Sequence, residues 1–178
     1  NERNLKRFNN ISLAAKSLNN IYDALVHLSF NLDKPIKKEI IDLKLLVSQK
    51  INYFSPFFAK RGLKIEASLK PSFINADLED MSKILDNLLS NASKYASPNS
   101  KVRIILESNF FSITNLGHGI SKEQQMQIFD RYTRFNEDQG GFGIGLNLVK
   151  ECCKKNGIEV KCTSDLDGET TFSLSWRS

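Results

Sequence analysis

Two asparagines and a lysine, Asn87, Asn91 and Lys94, follow one another at intervals of one helical turn. A helix with this spacing projects two amides and an ammonium from one face. Amide oxygens can complete the coordination of Mg²⁺ when phosphates balance its charge, and a lysine can meet a phosphate oxygen. The alternative is an ordinary solvated helix face, which this segment alone does not exclude. The apolar stripe that predicts the helix consists of Ile84, Leu85, Leu88, Leu89 and Ala92.

Two glycine-rich segments follow, Gly117-x-Gly119 and Gly140-Gly141-x-Gly143-x-Gly145. Glycines at alternate positions let the backbone approach a ligand closely, and the second segment opens a predicted helix whose N-terminus adds partial positive charge. Both features suit a phosphate group. The second segment is not the phosphate loop that ends in Gly-Lys-Ser/Thr, because Leu146 follows Gly145. Each segment alone is typical of a flexible turn, so the hypothesis depends on their combination with the asparagine helix.

The composition narrows the class of protein. The chain has 178 residues, 40% of them hydrophobic, which allows one packed domain plus an appendage. Its net charge of +5 is spread without a basic block, so nucleic-acid binding is not expected. Cys152, Cys153 and Cys162 show no metal-ligand spacing and are expected to be reduced, which favours the cytoplasm. No apolar run reaches the ~18 residues that span a bilayer. The first residue is Asn1, and we expect a fragment of a longer protein.

The elements that must position these residues begin with a long helix. Residues 1–32 contain no proline or glycine, and their apolar residues alternate in steps of three and four. This is the seam of a helical bundle, so we expect the helix to pair with an upstream helix or with a second subunit. Pro35 ends the pattern, and we expect two units, a helix over 1–33 and a second domain over 34–178. The seam consists of Phe8, Ile11, Ala15, Leu18, Tyr22, Leu25 and Leu32.

Beyond residue 34 the pattern predicts strands that interleave with helices. This order favours an α+β fold in which helices cover one face of one sheet. The aromatic residues Phe54, Phe57 and Phe58 of the first predicted helix are expected to pack in the core. Strands are expected over 39–43, 63–69, 73–74, 102–106, 110–114, 158–163 and 170–176, and helices over 45–59, 77–95 and 122–132. A last helix is expected to open at the glycine run 140–146 and to reach residue 155.

Four motifs in this order resemble those of the sensor histidine kinases of two-component systems. Asn87–Tyr95 is similar to their asparagine box and Asn115–Ile120 to their first glycine box. Ile128–Phe135 is similar to the phenylalanine box, and Gly141–Leu146 to the second glycine box. Ser17–Leu25 also resembles the second helix of their dimerisation and histidine-phosphotransfer domain.

The resemblance implies the GHKL-type (Bergerat) ATP-binding fold, which is shared with DNA gyrase, Hsp90 and MutL. This fold is a two-layer α+β sandwich of a mixed, mostly antiparallel sheet covered on one face by helices. Here it would be preceded by a long N-terminal dimerisation helix.

The resemblance also implies a site for ATP and Mg²⁺. Asn91 would ligate Mg²⁺ with support from Asn87, Lys94 would contact phosphate, and Tyr95 would lie against the nucleotide. Arg134 would neutralise charge on the transferring phosphoryl group, so that the implied catalytic residues are Asn87, Asn91 and Arg134. Gly141, Gly143 and Gly145 would shape a mobile lid over the phosphates. The further cofactor-binding residues that the glycine boxes imply are Asn115, Gly117, Gly119, Ile120, Gly141, Phe142, Gly143, Ile144, Gly145 and Leu146.

Two residues differ from those of related ATPases. Asn87 stands where the hydrolysing relatives have a glutamate that activates water, and because an amide cannot take that proton we expect slow ATP hydrolysis. Asn115 stands where the family normally has an aspartate that accepts a hydrogen bond from adenine. An amide oxygen still accepts but loses the charge-assisted part, about 1 kcal/mol, so we expect weaker but retained adenine recognition.

The phosphoacceptor motif of the family, His-Glu/Asp-x-x-Asn/Thr-Pro, is absent from this sequence. His27 is expected to be solvated on the outer face of the first helix, and His118 to have an incidental surface role. We therefore expect the acceptor histidine to lie outside the chain.

The expected partners are ATP or ADP, a response regulator and, through the N-terminal helix, a second subunit in a homodimer. Membrane contact is expected only through upstream segments. These would anchor the whole protein in the bacterial inner membrane, with this part on the cytoplasmic side.

The sequence thus favours a fragment of an ATP-dependent protein histidine kinase, which transfers the γ-phosphate to a histidine on a dimerisation helix for relay to a response regulator. Two alternatives remain. A degenerate nucleotide-binding module would regulate a partner without phosphotransfer, and Asn115 favours this reading. A serine-directed kinase of the same fold is disfavoured by the long helix and the phenylalanine box.

Overall fold

A computed structural model of the chain describes residues 36–130, 144–165 and 167–177. The predicted helix over 1–33, with His27 and the expected domain boundary, lies outside these ranges. Within them, no helix combines the length and the apolar composition needed to cross a membrane.

The described chain contains strands and helices close to the expected positions. The strands are β1 Lys38–Asp42, β2 Lys64–Leu69, β3 Phe73–Asp77, β4 Lys101–Glu107, β5 Phe110–Leu116, β6 Glu159–Ser164 and β7 Glu169–Ser175. The helices are α1 Leu43–Lys60, α2 Leu78–Tyr95, α3 Lys122–Gln127 and α4 Gly145–Asn156. Two elements depart clearly from their expected lengths: α3 ends at Gln127 rather than near residue 132, and β3 reaches Asp77 rather than residue 74.

Five strands form one sheet in the order β2-β4-β5-β7-β6. The β2–β4 pair is parallel and the other three pairs are antiparallel, so the predicted mixed, mostly antiparallel sheet is confirmed. The remaining strands, β1 and β3, form a separate two-stranded antiparallel sheet, which the expectation of a single sheet did not include.

The core lies between the five-stranded sheet and the helices. In β4, buried Val102, Ile104 and Leu106 alternate with more exposed residues, so one face of the strand points toward the helix layer. Helix α2 supplies the other side of this core, and burying each of its large apolar side chains contributes about 1.5–3 kcal/mol. The buried side chains of α2 are those of Met81, Ile84, Leu85, Leu88, Leu89 and Ala92.

Helix α1 begins at the N-cap Asp42, whose side chain accepts a hydrogen bond from the backbone N–H of Leu45 at 3.0 Å. Among its three phenylalanines, the core prediction is right for Phe58, which is buried. Phe54 is half-buried and packs against the core. The prediction is wrong for Phe57, which is 49% exposed, because it lies one residue round the helix from Phe58, the side chain that enters the core.

Helices α2 and α4 are joined by a buried asparagine near the end of α4. The Asn156 Oδ1 accepts from the backbone N–H of Asp77 at 2.8 Å, and its Nδ2 donates to Asp80 Oδ2 at 3.0 Å and to the Cys152 carbonyl at 2.8 Å. Asp77 is the N-cap of α2 and accepts from the N–H of Asp80 at 3.0 Å. The end of α4 is therefore fixed to the start of α2, and the two helices run antiparallel.

Candidate functional site

The polar face of α2 carries Asn87, Asn91 and Lys94 at half-buried positions. The Asn87 Nδ2 donates to the carbonyl of Lys83 at 2.8 Å. This bond occupies the nitrogen end of the amide and leaves Oδ1 as the end that can accept. The Asn91 side chain forms no hydrogen bond with any residue that the structure describes. Two amide oxygens are thus available on one face of α2.

The start of α4 lies directly against this face. A Cβ added to Gly145 would be 2.5 Å from Asn87 Oδ1, so only glycine lets the α4 backbone come so close to the amide. Helix α4 has no side-chain cap at its N-cap residue, Ile144. Its first N–H groups therefore keep a partial positive charge next to an amide oxygen. The structure describes three residues of the second glycine box, Ile144, Gly145 and Leu146, and they lie at this start of α4.

The other end of α2 is held by Arg61, which follows α1. The Arg61 Nη1 donates to the carbonyls of Ser93 and Lys94, two of the last carbonyls of the helix. The Lys94 ammonium lies 5.6 Å from the centre of the Tyr95 ring, and that ring is 42% exposed. A cation and an open aromatic face are thus presented together at the C-terminal end of α2.

Asn115, near the end of β5, completes this side of the site. Its side chain is 6% exposed and forms no hydrogen bond with the described residues. The neighbouring Gly117 lies against the end of α2, because a Cβ there would be 2.5 Å from the Tyr95 carbonyl oxygen and 3.3 Å from Asn115 Nδ2. The Asn115 amide is therefore buried beside Tyr95 with its hydrogen-bonding groups unused. A ligand with a polar edge could form hydrogen bonds with it there.

The structure gives a second reason for the glycines of the first box. The Gly117 N–H donates to the Gly168 carbonyl at 2.8 Å, and a Cβ on Gly119 would be 2.8 Å from the Asp165 carbonyl oxygen. Ile120 is held by its N–H to Ser164 Oγ at 3.0 Å. The loop thus packs against the β6–β7 turn, and its glycines are required by backbone contacts within the protein as well as by any ligand.

The described part of the phenylalanine box anchors α4. The Phe129 ring packs edge-on against Phe172 of β7, with centroids 6.2 Å apart, and its carbonyl accepts from Asn147 Nδ2 at 3.1 Å. Lys150 forms an ion pair with Asp130 at 3.4 Å. The first two turns of α4 are therefore held from two sides, by Asn87 of α2 and by this segment.

The structure brings most of the predicted site residues together around the outer face of α2. Arg134, Gly141, Phe142 and Gly143 lie outside the described residues, so their expected roles stay predictions. Sequence reasoning missed Arg61 and Asn156. The spacing of neighbouring residues carried no signal for either, because their partners on α2 are 32 to 79 residues away along the chain.

The described residues give little support for thiol chemistry or for a metal held by cysteine, histidine or carboxylate side chains. Burial raises the pKa of Cys152 and of Cys153 to about 12, so both remain unreactive thiols at neutral pH. All three cysteines are free, as expected. His118 is exposed. In the part of the chain that the structure describes, no group of three or more His, Cys, Asp or Glu residues is arranged to hold a metal. A metal at this site would depend on amide oxygens together with ligand oxygens.

Comparison with known proteins points in one direction. The profile of a family described as "Histidine kinase-, DNA gyrase B-, and HSP90-like ATPase" matches residues 76–178. The swarming motility regulation sensor protein RssA of Serratia marcescens is 28% identical over 144 residues, which cover 76% of this chain and 30% of that protein. The histidine protein kinase SaeS of Staphylococcus aureus (strain USA300) is 28% identical over 180 residues, which cover 90% of this chain and 50% of that protein.

The chain therefore spans half or less of the length of these relatives. Among solved structures, full-length ShkA in complex with AMPPNP superposes with a TM-score of 0.73 over 89% of this chain and 34% of that chain. The sequence identity is 20%, so this match speaks for the fold alone.

The contact between Gly145 and Asn87 can be tested with two alanine substitutions. Gly145→Ala should displace the Asn87 amide and change the NMR chemical shifts of its side-chain NH₂ group. The free energy of unfolding should change by less than about 1 kcal/mol, because alanine favours the helix while the displaced amide opposes it.

Gly157→Ala is the matched control. Gly157 has a φ of +73° and nothing within 4 Å of an added Cβ. Alanine there should lower the free energy of unfolding by about 1 kcal/mol through backbone strain and leave the Asn87 signals in place. Unchanged Asn87 signals in Gly145→Ala would contradict the contact.

Proposed function

The chain belongs to the family of histidine kinase-, DNA gyrase B- and HSP90-like ATPases, and on that premise we propose that it is the ATP-binding catalytic part of a sensor histidine kinase. It would transfer the γ-phosphate of ATP to a histidine on a dimerisation helix, for relay to a response regulator. The names of the relatives, a sensor protein and histidine protein kinases, support this assignment. The whole protein would dimerise through its N-terminal helix and lie at the bacterial inner membrane, with this part in the cytoplasm.

One observation carries the proposal: the oxygen of Asn87 lies against the uncapped start of α4. An anionic ligand at this position would meet the partial positive charge of the helix N-terminus. A cation bound to that anion would meet the amide oxygens of α2. The arrangement suits a metal-bound phosphate better than either partner alone, because the helix start attracts the anion and the amide oxygens can ligate the cation.

The residues of the site fit a nucleotide with its metal. When bound, Mg²⁺ would balance the charge of the phosphates, and its coordination would be completed by Asn91 with support from Asn87. Lys94 would contact a phosphate oxygen as a point charge, and Tyr95 would offer its exposed ring to the nucleotide. Phosphoryl transfer needs mainly positioning and charge stabilisation, and these residue types supply both.

The buried Asn115 amide fits the remaining part of the ligand. Its side chain has no hydrogen-bond partner among the described residues, and its carbonyl oxygen can accept from the amino group of adenine. Because the amide is neutral, this bond would be weaker than the one formed by an aspartate.

The absence of a carboxylate at position 87 bears on the fate of the γ-phosphate. The amide of Asn87 cannot take a proton from water, and its nitrogen is already bonded to Lys83. Hydrolysis by the isolated chain is therefore expected to be slow, which would leave the phosphate for a protein acceptor.

Nucleotide binding provides the first test. Calorimetry with a nonhydrolysable ATP analogue should show binding that strengthens when Mg²⁺ is added. Asn91→Ala should weaken binding about tenfold or more with Mg²⁺ and remove the effect of the metal, since it deletes a ligand oxygen. Ser90→Ala, on the exposed side of the same helix, is the control and should bind like the wild type. No binding by the wild type, or equal affinity with and without Mg²⁺, would refute the site.

Adenine recognition is tested at Asn115. Asn115→Asp should tighten ATP binding by about 1 kcal/mol, or about fivefold, because the carboxylate restores a charge-assisted hydrogen bond. Titration of ATP against GTP should show that the wild type still prefers ATP. Equal affinity for both nucleotides would show that Asn115 does not recognise adenine.

Phosphotransfer distinguishes the proposal from its alternatives. The chain is mixed with a separate polypeptide that carries a two-helix dimerisation domain with a His-Glu-x-x-Asn-Pro motif, and ATP labelled at the γ-phosphate is added. We expect acid-labile label on histidine. Acid-stable label on serine would indicate a serine-directed kinase. Binding of the nucleotide without transfer would favour the degenerate module, for which Asn115 is the specific observation.

A further inference from the structure

A cleft of about 650 Å³ opens where the two-stranded sheet meets the C-terminal end of α4 and the end of β7. This volume lies within the range of roughly 300–1,000 Å³ that is typical of small-molecule sites. Ile40 of β1 and Phe73 and Asn75 of β3 line it, together with Trp176 and Arg177, which follow β7. We call it the Trp176 cleft.

The two-stranded sheet gives the cleft an apolar surface. Ile40 pairs directly with Asn75 across the β1–β3 ladder, and Phe73 lies two residues before Asn75, so these three side chains share one face of the sheet. Ile40 is 70% exposed and Phe73 is 60% exposed. Contact with a ligand would remove this apolar surface from water, which favours a ligand with an apolar body.

The indole of Trp176 carries a hydrogen-bond donor without an acceptor. The residue is 8% exposed, and its Nε1 is buried with no hydrogen-bond partner in the described chain. Its backbone N–H donates to the Asn109 carbonyl at 3.3 Å, which holds the segment but leaves the ring N–H unused. A buried donor without a partner is unfavourable, so an acceptor that reached it would be bound with preference. Because Nε1 is shielded from solvent, the indole must turn slightly toward the cleft to form this bond.

Two further donors of the cleft have no partner. The exposed guanidinium of Arg177 forms no ion pair or hydrogen bond with any described residue, and the same holds for the side-chain amide of Asn75. Among the described residues that line the cleft, Arg177 is the only cation and Glu159 the only acid. Glu159 already pairs with Lys161 at 2.9 Å and accepts from Ser175 Oγ at 3.3 Å. The charge of Arg177 is therefore left for a ligand.

We propose that the Trp176 cleft is a binding site for a small carboxylic acid with an aromatic or aliphatic body. The carboxylate would pair with Arg177, whose planar fork matches two carboxylate oxygens, and would accept from the Trp176 N–H and the Asn75 amide. The body of the ligand would lie against Ile40 and Phe73. The three donors and the apolar surface thus determine the two halves of the ligand.

The charges of the cleft favour a ligand with a single negative charge. Arg177 can balance one such charge, and the other two donors, Trp176 and Asn75, are neutral. A phosphate with two negative charges would leave one of them uncompensated in a cleft that Glu159 also lines. A carboxylate therefore fits this site better than a phosphate, in contrast to the site on α2.

The cleft is separate from the candidate nucleotide site. Asn156 lines the cleft and accepts from the N–H of Asp77, the N-cap of α2, so the cleft lies at the start of that helix. Asn91 lies about 21 Å further along α2, at a rise of ~1.5 Å per residue. The inference therefore goes beyond the proposed function and does not depend on it.

The test uses Trp176, the only tryptophan of the chain. Its indole N–H gives a single NMR signal, which reports on the cleft itself. The probes are phenylbutyrate and its neutral amide, phenylbutyramide, which share one apolar body and differ in charge. Phenylbutyrate should move the indole signal downfield, because the N–H gains an acceptor, and it should bind about tenfold more tightly than the amide.

Two substitutions separate the two halves of the ligand. Arg177→Gln should weaken binding of phenylbutyrate about tenfold and leave binding of phenylbutyramide unchanged, because only the acid needs the cation. Phe73→Ser should weaken binding of both probes, because both have the apolar body. Each substitution changes an exposed side chain, so thermal unfolding should stay as in the wild type.

Arg103→Gln and Phe57→Ser are the matched controls. Arg103 is an exposed arginine of β4 and Phe57 is a 49% exposed phenylalanine of α1, and neither lines the cleft. Both variants should bind phenylbutyrate like the wild type, which separates a local effect from the loss of any cation or any exposed ring.

Any of four results would overturn the inference. The first is an indole signal that phenylbutyrate leaves in place, and the second is equal affinity of the wild type for the acid and the amide. The third is undiminished binding of phenylbutyrate by Arg177→Gln. The fourth is inorganic phosphate that moves the indole signal at the same concentration as phenylbutyrate, since an anion alone would then be sufficient.

Discussion

The site depends on the antiparallel packing of α4 against α2, which the buried Asn156 fixes at one end. Cys152 of α4 lies beside Asp80 of α2, and Gly145 lies beside Asn87. Seven residues separate the two positions on each helix, a rise of about 10 Å, so the helices stay in register between them. A hydrogen-bonded amide at the end of α4 thus determines where its uncapped start meets the asparagine face.

Glycine has two separate physical roles around this site. At Gly145 the neighbour of the missing Cβ is a side-chain oxygen, so the glycine brings a helix start up to a potential ligand group. At Gly117 and Gly119 the neighbours are carbonyls of the chain itself, and glycine lets two loops and the end of α2 pack together. A motif that looks like a ligand cradle is therefore partly a packing motif, and the same backbone contacts hold Asn115 near Tyr95.

Arg61, at the end of α1, joins this helix to the C-terminal end of α2. By donating to the Ser93 and Lys94 carbonyls, Arg61 satisfies acceptors that the end of a helix leaves open and places positive charge where the helix dipole is negative. Lys94 and Tyr95 are consequently presented from a fixed helix end. Helix α1 thus supports the asparagine helix through Arg61, the residue that follows its last turn.

The sequence by itself determined what depends on near neighbours along the chain. The apolar period of α2 predicted this helix closely, and the spacing of Asn87, Asn91 and Lys94 placed them on one helix face before any contact was known. The order of the four motifs identified the family for the same reason, since each motif is a short local pattern.

Tertiary structure decided what depends on residues far apart in the sequence. The pairing of β1 with β3 in a separate sheet, the exposure of Phe57, and the roles of Arg61 and Asn156 all follow from how the helices and strands pack. Periodicity shows that α1 has apolar residues on more than one side, but only the packed neighbours select the side that is buried. The physical reason is that burial and hydrogen bonding are properties of pairs, and these partners are brought together only by the completed fold.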